Sequence, residues 1–80
     1  MKKVMLAMIE KRIEEKYGVL AFKRDGKLDK ETGLFNFRIT TMPNNRVDCV
    51  IYNGFVSSTG SIVITYINGI YLGKDNFEII

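Results

Sequence analysis

From Cys49 to Gly73 the chain reads CVIYNGFVSSTGSIVITYINGIYLG, twenty-five residues without a charge, whereas Lys, Arg, Asp and Glu are dense elsewhere. A stretch this uncharged has to lie in a membrane, in a core or against another surface. Its content argues against a spanning helix, which needs about 20 predominantly apolar residues. Asn53, Gly54, Ser57, Ser58, Thr59, Gly60, Ser61, Asn68 and Gly69 interrupt it. β-Branched and aromatic residues punctuated by Asn and Gly describe strands and turns instead.

The punctuation predicts where the strands end. Asn53-Gly54 and Asn68-Gly69 are both flanked by β-branched and aromatic residues. Asn-Gly favours a hairpin turn because both residues tolerate positive φ. Gly60 marks a turn or a bulge. SIVITYI and IYLG then form the arms of a hairpin at Asn68-Gly69, and NFEII adds a last short strand.

Upstream, VLAFK (19–23) reads as a short strand. The polar segment 24–33, RDGKLDKETG, reads as a turn at Asp25-Gly26 or a longer loop. LFNFRITTM (34–42) alternates, with Phe35, Phe37 and Ile39 on the core face. PNNR (43–46) has turn chemistry, and VDCVIY (47–52) is the next strand, with Val47, Cys49 and Ile51 on one face. Cys49 is expected to be a small buried hydrophobe.

Ahead of these strands, Met5, Ile9, Ile13 and Tyr17 recur at steps of four, flanked by Leu6 and Met8. That spacing predicts an amphipathic helix over 2–17. Gly18 is placed to end it in a left-handed conformation. The apolar run VMLAMI is too short for a secretory signal, and a dense run of charges follows it.

The expected fold is α+β, a single domain over 1–80. One N-terminal helix packs on four to six antiparallel strands forming an open sheet or a small closed barrel. A single helix covers one face of such a sheet. In 62–67, Ile62, Ile64 and Tyr66 alternate with Val63, Thr65 and Ile67, so neither set suits water. Closure into a barrel or burial in an oligomer resolves this, and self-association is favoured. Tyr52, Phe55, Tyr66 and Tyr71 are the expected interface residues, because aromatics dominate interface energetics.

Catalytic equipment is sparse. The chain has no His and one Cys, which removes the commonest general base and the usual zinc and Cys–His sites. Phosphate-cradling glycine patterns are absent. Asp25, Asp29 and Glu31 share a segment, but their spacing departs from a calcium loop. We therefore expect no enzyme activity, cofactor, metal or membrane segment, and a cytoplasmic location in keeping with a lone thiol.

Charge is uneven. Residues 1–46 carry +5 and residues 47–80 carry −2, for a net charge of +3. Lys23, Arg24, Lys27, Lys30, Arg38 and Arg46 are the candidate phosphate contacts of an RNA- or DNA-binding alternative. The tail YLGKDNFEII resembles the second signature of Sm-like RNA-binding proteins at Tyr71, Leu72, Asp75, Asn76 and Phe77. Gly73-Lys74 stands where that signature has Arg-Gly, and the first signature is not recognisable. The resemblance covers ten residues and implies a small barrel assembling into rings. The leading expectation is a non-catalytic, homo-oligomeric protein-interaction module that binds and occludes a partner such as a host protein. The Lys-, Asn- and Ile-rich composition matches a style common among phage and mobile-element proteins.

Overall fold

A computed structural model describes residues 2–43 and 48–80. The helix α1 (Lys2–Tyr17) is followed by β1 (Val19–Leu28), β2 (Phe35–Pro43), β3 (Val50–Val56), β4 (Ile62–Ile67), β5 (Ile70–Tyr71), a 3-10 turn at Lys74–Asn76 and β6 (Glu78–Ile79). The sheet is antiparallel and open, in the order β1-β2-β3-β4-β5. β6 also pairs with β4, beside Val63 and Ile64, so β5 and β6 share that edge. The expected α+β architecture is present, and the barrel alternative is not, because the sheet does not close.

The helix ends as its sequence suggests: Gly18 has φ +64°, and its N–H donates to the Glu14 carbonyl at 2.9 Å. Leu6, Ile9 and Ile13 are buried, with Met5 and Tyr17 packed at the margin. Met8 is exposed rather than on the packed face.

Beneath the helix, Phe35, Phe37, Ile39 and Thr41 of β2 stand opposite Val56, Gly54, Tyr52 and Val50 of β3. Ile62, Ile64 and Ile67 of β4 continue those rows. Full burial of Ile39, Ile62 and Ile64 contributes about 1.5–3 kcal/mol each. Thr41, the buried polar residue among them, donates its hydroxyl to the Val50 carbonyl at 2.8 Å.

Two of the four glycine turn signals are not turns. Asp25-Gly26 lies inside β1, which extends to Leu28. The connection to β2 is instead made at 29–34, where the Gly33 N–H donates to the Asp29 carbonyl at 2.7 Å. Asn53-Gly54 lies inside β3. Both glycines are there for close approach. A Cβ on Gly26 would strike the Phe35 ring and stand 3.0 Å from Leu6 Cδ2, and one on Gly54 would strike the Val63 carbonyl oxygen. Asn68-Gly69 does turn, with φ +53° and +77°, and Gly60, with φ +88°, lies in the turn that joins β3 to β4, where its N–H donates to the Ser57 carbonyl at 2.9 Å. The PNNR turn and Val47 fall largely outside the described residues.

Two bulges set the faces of the sheet. Phe22 is the extra residue in β1, between Ala21 opposite Thr41 and Lys23 opposite Thr40. Thr65 is the extra residue in β4, between Ile64 opposite Gly54 and Tyr66 opposite Asn53. An extra residue inverts the alternation after it. Ile67 therefore joins Ile62 and Ile64 under the helix, while Tyr66 joins Val63 on the other side. This corrects the simple alternation expected for 62–67.

Candidate functional site: the outer face of the sheet

The face away from the helix is the surface that the fold leaves uncovered. Its register can be followed strand by strand. One row runs Asp25, Arg38, Asn53, Tyr66, Tyr71 from β1 to β5, and its neighbour runs Lys27, Asn36, Phe55, Val63, Ile79 from β1 to β6. Each row starts in charge, passes through an amide or aromatic position and ends in apolar side chains. Lys23, Thr40 and Ile51 form a further row toward the end where Leu20 and Met42 are exposed.

The apolar end is built from interlocking rings. Tyr66 and Tyr71 are 41% and 50% exposed. Their ring centroids lie 5.2 Å apart, and Phe77 meets Tyr71 edge-on at 5.7 Å. Phe77 is brought there by the 3-10 turn that leads from β5 toward β6. Val63 is buried although it faces outward, flanked in register by Phe55 and Ile79. Aromatic pairs of this geometry contribute about 0.5–1.5 kcal/mol beyond area burial, so the cluster is a preformed, stiff platform.

At the other end, Arg38 approaches Asp25 at 3.7 Å with both side chains more than half exposed. Such a pair has little net stability and leaves the guanidinium free to face a partner. Between the two ends a shallow groove is lined by Lys27, Asn36, Arg38, Asn53, Thr65 and Tyr66.

The expected interface residues divide. Phe55, Tyr66 and Tyr71 belong to this outer face. Tyr52 does not: it is 5% exposed under the helix, stacked on Tyr17 with centroids 4.5 Å apart. Burial pushes the Tyr52 hydroxyl above its usual pKa. Tyr17 rises to about 12 through burial, then the charges of Glu78 and Tyr52. Tyr52 is a core residue, and Tyr17 packs against it at the core's margin.

The expected basic cluster is dispersed. Lys23, Lys27 and Arg38 share the outer face, but Arg24 turns to the helix side and pairs with Glu10 at 2.7 Å. Lys30 sits in the turn beyond β1, and Arg46 lies outside the described residues. Phe35 and Phe37 are buried under the helix, on the core face that their alternation predicts. Cys49 is exposed, because β3 begins only at Val50 and the alternation read from Val47 does not apply.

Phe77, Ile79 and Asn53 are the outer-face residues that sequence reasoning missed. Their signal was weak: the first two lie in a short tail, and Asn53 looked like part of a turn. Among the described residues no group of three His, Cys, Asp or Glu could hold a metal ion, and no helix is long and apolar enough to cross a membrane. No family model matches the chain, and no curated protein or solved structure matches it. The ten residues resembling an Sm-like signature form the edge of an open sheet here, not part of a barrel.

Proposed function

We propose that the chain is a non-catalytic protein-interaction module that works through the outer face of its sheet. The observation that carries this reading is the row Asp25, Arg38, Asn53, Tyr66, Tyr71, which leaves two exposed tyrosines and an exposed guanidinium on one uncovered surface. Tyr and Arg are the residues most enriched at interface hot spots. The surface is also too apolar to be idle: large exposed apolar patches mark interaction sites or aggregation hazards. Binding by such a face occludes whatever surface it meets.

A nucleic-acid reading finds less support, since three cations and one acid share the face and the candidate basic cluster is split between sides. Pull-downs with the wild-type chain, a Tyr66→Lys/Tyr71→Lys variant and a helix-surface control, Lys11→Glu, test the proposal. Partners retained by the control and lost by the tyrosine variant are the expected result. Equal capture by all three folded proteins would overturn it.

A further inference from the structure

We infer that the occupant of the outer face is a second copy of this chain, docked face to face about a two-fold axis running along β3. The inference rests on the outer face being the working surface.

Area is the first argument. A compact monomer of 9.2 kDa exposes about 4,900 Å². This chain exposes 5581 Å², an excess of roughly 650 Å² on that scaling. The cause is shape: one helix on one sheet gives a slab 18 Å thin and 39 Å long. A standard interface buries about 800 Å² per partner, close to what the slab exposes in excess. Stacking two outer faces produces a sheet-on-sheet core about 10 Å thick.

Complementarity selects the axis. With the axis along β3, the strand order of one copy runs opposite to that of the other. Asn53 then meets its own counterpart, Arg38 meets the partner's Tyr66, and Asp25 meets the partner's Tyr71. In the adjacent row, Phe55 meets Phe55, Asn36 meets Val63, and the Lys27 stem crosses Ile79. Arg38 and Lys27 of one copy then lie over the aromatic and aliphatic end of the other. Guanidinium over a tyrosine face is a favourable cation–π contact, and tyrosine hydroxyl to carboxylate is a charge-assisted hydrogen bond. An axis running across the strands instead would set β2 on β2 and β4 on β4, so that neither Arg38 nor Lys27 would lie over the aromatic and aliphatic end of the other copy.

Light scattering on the purified chain across a concentration series should give twice 9.2 kDa. Arg38→Glu and Tyr66→Arg should each shift the mass toward monomer while the thermal melt stays cooperative. Combining them, Arg38→Glu/Tyr66→Arg, should restore the dimer through an opposite-charge pair, because each contact is made between those two positions on opposite copies.

The exposed native Cys49, one residue before β3, reports the geometry without mutation. Near the axis, spin labels on the two copies should lie about 10–20 Å apart, given the roughly 10 Å spacing of stacked sheets. Pairing through the free β1 edges would separate them by more than about 20 Å, given strand spacings near 4.8 Å. A dimer with the long distance would overturn the inference. So would failure of the double variant to restore the dimer, or a monomer at all concentrations. A monomer that bound a single-stranded oligonucleotide, with the binding lost in Arg38→Glu, would reassign the face to nucleic acid. A monomer whose protein partners are lost only in the Tyr66→Lys/Tyr71→Lys variant would leave the outer face as a site for a foreign protein.

Discussion

Replacing Gly54 with alanine tests the packing that holds the outer face in register. The new Cβ would overlap the Val63 carbonyl oxygen and stand 2.9 Å from Phe37 Cζ. The first obstacle is backbone fixed by the β3–β4 ladder, and the second is a ring only 3% exposed. Neither can rotate away, so the ladder must part beside the Thr65 bulge. Overpacking of this kind costs about 1–3 kcal/mol, and each weakened ladder hydrogen bond adds about 1 kcal/mol. The stiffer unfolded chain returns about 0.4–1 kcal/mol. A net loss of about 3 kcal/mol lowers the melting temperature of a domain this size by about 12–24 °C. Circular dichroism melts of Gly54→Ala and Gly60→Ala make the comparison. Gly60 meets no atom within 4 Å and carries only the strain of φ +88°, so its variant should lose about 1 kcal/mol, the low end for an unusual φ/ψ. A Gly54→Ala midpoint within about 3 °C of wild type would show that β3 and β4 are not in the contact described.

Three further outcomes follow from the same structure. Tyr17 keeps its proton in the folded state up to about pH 12, whereas the unfolded chain loses it near pH 10. Its contribution is therefore complete below pH 10 and lost between 10 and 12. Solvent screening of a partly buried ring limits that loss to about 1–2 kcal/mol. Urea melts should show Tyr17→Phe losing less stability than wild type over that window, and parallel curves would sink the assignment. Asn68→Ala removes the acceptor for the Ile51 N–H at 2.8 Å and strains a φ of +53°; a cost of about 1–2 kcal/mol is expected, and an unchanged urea midpoint would contradict it. Arg24→Gln breaks an exposed ion pair with Glu10 and should change stability by less than about 1 kcal/mol, so a larger loss would mean that the pair anchors the helix.

The helix, the last hairpin and the core face of β2 were legible because their signals are local. Steps of four from Met5 to Tyr17, positive φ at Asn68-Gly69 and the alternation of Phe35, Phe37 and Ile39 depend little on distant contacts. Asp25-Gly26 and Asn53-Gly54 carried the same dipeptide signal with a different cause. Their glycines make room for the Phe35 ring and for the Val63 carbonyl, partners nine residues away in the chain in each case. Spacing cannot distinguish a glycine that turns from one that yields space. The outer face was half legible for a related reason. Tyr66 and Tyr71 stood out as uncharged aromatics, but which side Tyr66 occupies is decided by one extra residue, Thr65. Tyr52 looked equivalent until Tyr17 stacked on it.

The meander has a kinetic consequence. Strands β1 to β5 pair only with their sequence neighbours, and β6 reaches back just past β5 to β4. Strand pairings are therefore mostly between sequence neighbours, and folding should be a single phase, on the order of milliseconds for mixed domains of such topology. The order of assembly also matters for safety. Until β5 and β6 dock, the outer edge of β4 presents IVITYI as an open, uncharged template. During that interval a chain can recruit another chain's strand in place of its own tail, so the last residues to dock also protect the sheet against strand exchange.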